Sequence, residues 1–351
     1  MTPDDLGTSI EEAVGQMLMI GFRGDVLDRD IAALLRDIQP GGVVLFDYDL
    51  PSKGEVVRNI TSPKQLRALT SALQGIAPYF IAVDAEGGYV NRLKNKYGFT
   101  VSVPSAQKLG RKSPGKTKRV ADALARELKE MGINWNFAPV VDVNIDPKSP
   151  AIGAIERSFS DVPRAVVAHA NAFVKAHREQ QVIPTLKHFP GHGSAAGDTH
   201  LGVTDVTETY RRAKELLPYQ KFIQKGYEDP ILTAHIVNRK LDKSGRPATL
   251  SHDIMTKLLR YEMGFDGVVI SDDMQMGAIV EAYGLTEAVV EAIKAGVDMI
   301  LLANQIGEYN IDQVYDVKNA IVQAVADGVV GEDRICESFN RIQRLKHRFG
   351  I

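Results

Sequence analysis

Three short stretches of this sequence hold side chains able to do chemistry. The first is Ile81-Ala82-Val83-Asp84-Ala85-Glu86-Gly87-Gly88, an apolar run that ends in an acid and then two glycines, which permit a sharp turn. Asp84 can accept hydrogen bonds from hydroxyl groups there, or act merely as an Asx turn or helix cap. The second is Lys187-His188-Phe189-Pro190-Gly191-His192-Gly193, continuing through small residues to Asp198-Thr199-His200. A carboxylate beside an imidazole orients it and raises its pKa, which suits general acid catalysis by His200 with Asp198. The same stretch also permits two other readings: His188 and His192 as structural histidines, or His188, His192, Asp198 and His200 as metal ligands. The third is Gly267-Val268-Val269-Ile270-Ser271-Asp272-Asp273-Met274, where an apolar segment delivers two adjacent acids. Such a carboxylate suits nucleophilic attack at a glycosidic carbon through a covalent glycosyl intermediate. Strand alternation sends Asp272 and Asp273 opposite ways, and residue types alone do not say which faces inward.

Positioning these groups requires strands, and the sequence supplies a regular series of them. Short apolar, β-branched runs fall at Met17–Phe22, Gly42–Phe46, Tyr79–Asp84, Trp135–Val143, Ile183–Phe189, Pro230–Ile236, Gly267–Asp272 and Met299–Ala303. Amphipathic segments lie between them, including Asp28–Asp37, Lys116–Met131, Pro163–Glu179, Ser251–Met263 and Leu285–Ala295. In Ser251–Met263, Ile254, Met255, Leu258 and Leu259 share one helical face, with Ser251 placed as N-cap. About eight strand–helix alternations predict an α/β fold, a single closed (β/α)8-like TIM barrel spanning residues 1–351 as one catalytic domain. Asp84, Asp142, Lys187, His188, His235 and Asp272 all sit at or near predicted strand ends. In a barrel those ends converge on one face, so their joint occurrence points to a site where each alone would not.

Composition narrows the function classes. The chain has 351 residues, 44% hydrophobic and 25% charged, with a net charge of −2. That balance lacks the basic excess of a nucleic-acid binder. Cys336 is the only cysteine, so no intrachain disulfide forms. The first twelve residues carry four acids and no base, without the basic start and apolar run of a signal peptide. No apolar run approaches the ~18 residues of a membrane span. A cytoplasmic protein acting on a small molecule, away from nucleic acid and membrane, is the expectation.

Taken together, the three stretches resemble glycoside hydrolase family 3, in its single-domain bacterial β-N-acetylglucosaminidase branch. The run KHFPGHG, four residues, then DTH matches that branch in order and spacing. Other matching pieces are Asn136-Phe137-Ala138-Pro139-Val140-Val141-Asp142, Arg157-Ser158-Phe159, Thr233-Ala234-His235 and Pro247-Ala248-Thr249-Leu250, and the likeness extends from Gly15-Gln16-Met17 with Gly21-Phe22 to Arg341–Lys346, essentially the whole chain. The resemblance implies Asp272 as nucleophile, because the equivalent acid directly follows Ser or Thr. It implies His200 as acid/base with Asp198 as its partner, and Asp84, Arg92, Arg157, Lys187 and His188 as sugar-binding residues. It also implies a (β/α)8-like barrel, no cofactor, and a small N-acetylglucosamine-containing glycoside as substrate, with cell-wall fragments as one source. The sequence departs from the pattern at Ala85, at Tyr89 and at Ala154-Ile155-Glu156, where the stretch before Arg157 is about two residues longer.

The leading expectation is thus a retaining exo-β-N-acetylglucosaminidase. A phosphorylase, with phosphate in place of water, and a β-glucosidase of the same family are the near alternatives. Asp273 stands after the nucleophile where the glucosidase branch generally has Trp. A metal-dependent barrel hydrolase is the alternative from another class, and Glu86 and Asp273 are the substitutes if His200 is not the acid.

Overall fold

Eight short parallel strands close into a ring whose members are buried along almost their whole length. The computed structural model describes residues 7–49, 58–197, 202–306 and 309–351. The strands are β1 (Leu18–Gly21), β2 (Gly42–Leu45), β3 (Phe80–Val83), β4 (Trp135–Asn136), β5 (Ile183–Pro184, resuming as Leu186–Phe189), β6 (Ile231–Thr233), β7 (Val269–Asp273) and β8 (Met299–Leu302). β1 pairs with β2 and β8, and pairing runs on through β3, β4 and β5. β5 pairs with β4 through Ile183 and Pro184 and with β6 through Leu186, Lys187 and Phe189, which closes the circle. β6 to β7 and β7 to β8 complete it. Helices on the outside cover the other face of every strand, so the strands read as continuous apolar runs, not alternating ones.

The expected strands are all found, with two corrections. The run expected at 135–143 is a strand only over Trp135–Asn136. Pro139 has no N–H to donate, and beyond it the ladder with β5 is reduced to the isolated Val140–Lys187 bridge. The run expected at 230–236 also divides, since Ile236–Val237 leaves the ring and pairs with Thr204–Asp205. The helices follow the sequence signals closely. In the helix Arg29–Ile38, Asp28 caps the first turn by accepting from Ile31 N–H at 2.8 Å, and Ile31, Leu34, Leu35 and Ile38 face inward. Helices Pro163–Glu179 and Leu285–Ala295 fall on the expected bounds. Ser251 Oγ accepts from Ile254 N–H at 3.1 Å ahead of the helix Asp253–Glu262, the capping role expected of it.

The end of the barrel where the strands begin is tied by one buried carboxylate. Asp298, immediately before β8, accepts from Arg260 Nη2 at 2.5 Å, Arg334 Nη2 at 2.9 Å, Ser338 Oγ at 3.0 Å and Val269 N–H at 2.9 Å. Arg334 and Ser338 belong to the last helix, Glu332–Phe349, so this contact fastens that helix across the barrel floor. Burial acts to raise the Asp298 carboxyl, but Arg260, Arg334 and Arg341 outweigh it and bring it down to about 2. A carboxyl depressed on folding stabilises above its unfolded pKa of ~3.8, and that contribution disappears as pH falls through its folded value. Asp298→Asn should therefore unfold at lower urea, by ~3–5 kcal/mol near neutrality, since three arginines lose their buried counter-charge. Urea titrations from pH 6 downward should show the gap to wild type narrowing below pH ~4. A gap constant with pH would show that charge is not its cause.

Candidate active site

At the other end of the barrel, the strand termini surround a cavity of about 190 Å³. Pockets for drug-sized ligands run to ~300–1,000 Å³, so this one is scaled to a single small ring. β3 ends at Asp84, and the chain then folds into a short hairpin, Ala85–Gly87 against Val90–Asn91. Gly87 and Gly88 take φ of 102° and 62°, a conformation that side chains resist, which explains the paired glycines of the sequence. The hairpin returns Arg92 beside Asp84, with Arg92 N–H donating to Asp84 C=O at 3.1 Å. β5 delivers Lys187 and His188, and β7 delivers Asp272. All five line the cavity, together with Arg157. Asp272 is the one residue of the eight barrel strands that is not buried.

The cavity's charges are braced against one another. Lys187 Nζ lies 2.7 Å from Asp84 Oδ1 and 2.6 Å from Glu86 Oε1. Arg157 grips Glu86 with two parallel hydrogen bonds, Nε to Oε2 at 2.8 Å and Nη2 to Oε1 at 2.7 Å. Burial acts to raise the Glu86 carboxyl, but Arg157 and then Lys187 overcome it and hold it well below the usual carboxylate range. Burial likewise acts to lower Lys187, and Asp84 and Glu86 reverse that, so its ammonium is held more firmly charged than usual. Glu86 is therefore locked as an anion, which removes it as a substitute proton donor. Asp273 is also removed by direction: it is buried and accepts from Gln275 N–H at 3.1 Å and Ala303 N–H at 3.2 Å, away from the cavity.

Asp142 organises the histidines from behind the wall. It is fully buried, and its carboxylate accepts from His188 Nδ1 at 2.7 Å, His188 N–H at 3.2 Å and His192 N–H at 2.8 Å. His188 Nε2 lies 3.1 Å from Arg157 Nη2, a donor, so the network places the ring proton on Nδ1 and makes Nε2 the acceptor. Both nitrogens of His188 are thereby engaged, which leaves it no lone pair for a metal ion. His192 lines the same cavity, and burial, then the neighbouring His188, bring it down to about 4. Gly193 packs so tightly on Val143 that a Cβ would sit 1.7 Å from its carbonyl oxygen, so the small residue after His192 is a steric requirement.

Of the sequence-expected residues, Asp84, Arg92, Arg157, Lys187, His188 and Asp272 meet around one cavity. Asp142 lies behind it, and His235 is structural, bridging Thr249 Oγ1 at 2.8 Å and the Asp273 carbonyl at 3.0 Å. Asp198 and His200 fall outside the described residues. The longer stretch before Arg157 is accommodated by Glu156, whose carboxylate accepts from Ser105 Oγ at 2.6 Å and whose φ is 58°. That anchorage leaves Arg157 on the cavity wall. One further charged residue, Asp47, belongs to no motif in the sequence and is found only in the fold. It is buried, lies 3.6 Å from Arg92 Nη1 and accepts from Lys94 Nζ at 2.5 Å. Its place after β2, at the same end as the other site residues, is the one trace of it in the sequence.

Comparison with known proteins agrees with this arrangement. Residues 9–345 match the glycosyl hydrolase family 3 N-terminal domain. The chain belongs to glycosyl hydrolase family 3. Among family relatives, it is 32% identical to β-hexosaminidase A of Pseudoalteromonas piscicida over 95% of this chain and 60% of that protein. It is 35% identical to the β-hexosaminidase of Idiomarina loihiensis, over 82% of this chain and 83% of that one. The fold superposes on the family 3 β-N-acetylglucosaminidase of Paenibacillus sp. FPU-7 with a TM-score of 0.87 at 32% identity, covering 97% of this chain and 63% of the other. The chain thus spans about three fifths of the length of the Pseudoalteromonas and Paenibacillus proteins.

The Asp142 hub gives a direct test of the site's wiring. An asparagine there cannot accept on both sides, so Asp142→Asn should loosen His188 or His192. Hydrogen bonds to a charged group contribute ~1.5–3 kcal/mol, so a stability loss of that order is expected in denaturant. Nitrogen NMR of the His188 ring should show the Nδ1–H tautomer in wild type and a mixture in the variant. An unchanged tautomer would mean that Asp142 does not set it.

Proposed function

We infer that this protein is a retaining, exo-acting β-N-acetylglucosaminidase that removes a terminal β-linked N-acetylglucosamine. The observation that carries the reading is the placement of Asp272, half-buried, on a one-ring cavity whose wall also holds Asp84, Arg92, Arg157 and Lys187. Fixed donors and acceptors of that kind suit the hydroxyls of a pyranose, and a carboxylate among them suits attack on its anomeric carbon. Asp272 would attack C1 as the glycosidic oxygen leaves with a proton from His200. Water, deprotonated by His200, would then cleave the Asp272 ester and release the sugar with retained configuration. Asp198 is proposed as the partner that orients His200. Hexosaminidases among the family relatives support N-acetylglucosamine as the sugar, and soluble cell-wall fragments are the source this reading favours. A cavity for one ring supports action at a chain end over cleavage within it.

Aryl β-N-acetylglucosaminides should be hydrolysed much faster than aryl β-glucosides, with no loss on adding a chelator. Equal rates on the two sugars would show that the acetamido group is not read. Asp272→Asn should keep its fold and lose nearly all turnover, because an amide cannot form the glycosyl ester. A slow fluorinated substrate should label a peptide containing Asp272, and labelling elsewhere would end the assignment.

The leaving-group series tests His200. A poor leaving group needs a proton and dinitrophenolate does not, and a positioned acid is worth ~10²–10⁴-fold. His200→Ala should therefore lose most rate on disaccharides and least in the first step on dinitrophenyl substrates. An equal loss for every leaving group would exclude His200 as the acid.

A further inference from the structure

One buried acid at the site has no part in that mechanism. Glu86 stands behind the cavity wall, its side chain 5% exposed, and holds Arg157 and Lys187, two of the three cations that line the cavity, the third being Arg92. Its effect follows from counting donors. A guanidinium has five N–H donors and an ammonium three. Among the described residues, Arg157 commits four: Nε and one Nη2 hydrogen to Glu86, the other Nη2 hydrogen to His188 Nε2, and one Nη1 hydrogen to Ala151 C=O at 2.8 Å. Lys187 commits two, to Asp84 and Glu86. Each of these two cavity-lining cations therefore keeps one N–H uncommitted among the described residues, its other bonds fixing the group. The formal charges of Arg157 and Lys187 are matched by Glu86 and Asp84 in direct contact, and the third cation, Arg92, lies 3.6 Å from Asp47 and 3.8 Å from Asp84.

Resting on the reading of this cavity as a sugar site, we propose that Glu86 is a positioning residue that makes it select neutral hydroxylated rings over anions. With Glu86 ionised, Arg157 and Lys187 act as directed hydrogen-bond donors with their charge already matched. A hydroxyl needs one donor in the right place and loses little on leaving water. A phosphate ion needs several donors and unbalanced positive charge, and it meets Asp84 and Asp272 on the wall, with Glu86 behind them, instead. The same balance favours water over phosphate as the acceptor of the sugar, which bears on whether the enzyme hydrolyses or phosphorolyses its substrate.

The test uses inorganic phosphate as probe and calorimetry as readout, so it does not depend on turnover. Wild-type protein should bind phosphate weakly or not at all, and phosphate should not compete with substrate. Glu86→Gln leaves the volume and removes the charge; phosphate affinity should rise by ~10-fold or more, the scale of one unmatched charge at contact distance. On aryl N-acetylglucosaminide its KM should rise more than its kcat falls, because ring positioning is lost while Asp272 remains. Glu86→Asp should keep phosphate out while losing part of the KM, since it restores charge with a shorter reach. The double variant Glu86→Gln/Arg157→Met, again balanced, should lose the phosphate binding gained by Glu86→Gln; if Glu86→Gln fails to fold, Glu86→Met, which also removes the charge at similar volume, takes its place with the same expected gain. Tight, competitive phosphate binding by wild type, or equal phosphate affinity in wild type and folded Glu86→Gln, would overturn the proposal. Absence of hydrolysis in wild type would instead count against the glycosidase reading, leaving the phosphate result to stand on its own.

Discussion

A closed parallel barrel offers no polar surface along its strands. Each strand of this protein is covered by side chains within the ring and by helices outside it, and every strand residue except Asp272 is buried. Polar chemistry can therefore begin only where the strands end. Because all eight run the same way, one set of ends is forced to share a single mouth, so Asp84 after β3 meets Lys187 of β5 at contact distance and Asp272 of β7 lines the same cavity, without any of them being neighbours in the chain. The crowding is the constraint from which the rest of the site follows.

Crowded charges away from water are stable only when they are matched. The mouth meets that condition with a chain of contacts running from Asp142 through His188, Arg157, Glu86 and Lys187 to Asp84. Glu86, Arg157 and Lys187 use most of their hydrogen-bonding capacity within this network. What remains for a ligand is a small number of donors and acceptors in fixed directions, which is how a rigid site recognises a ring by its hydroxyls. Asp47 extends the matching to Arg92 and Lys94 on the opposite side of Asp84.

The two ends of the barrel use the same physics to different effect. Asp298 at the floor is surrounded by arginines and a backbone N–H, with every partner supplied by the protein, and it binds the last helix to the strands. The network at the mouth is matched too, but it borders an open cavity and leaves selected donors unfilled. Matched charge with nothing left over gives a clasp, and matched charge with directed remainders gives a binding site.

Much of this was legible in the sequence because it is written in short-range patterns. Apolar runs bounded by turn residues marked all eight strands, and Asp28, Ser251 and Pro163 marked helix starts by chemistry that acts within one turn. The placement of acids and bases at strand ends then identified Asp84, Lys187, His188 and Asp272 as a group, and the family resemblance added Arg92 and Arg157. Tertiary structure alone decided what those groups do to each other. Strand alternation left Asp272 and Asp273 equal candidates, and the direction of β7 in the ring turned one into the cavity and the other onto the backbone of residues 275 and 303. Glu86 looked like a spare proton donor until the fold set it between Arg157, 71 residues away along the chain, and Lys187. Asp47 belongs to no motif, and the strand expected over 135–143 shrinks to two residues in the fold, because pairing depends on a neighbour that no local pattern contains. A protonation state or a hydrogen-bond direction is a property of the surroundings, and for these residues the surroundings are assembled from distant parts of the chain.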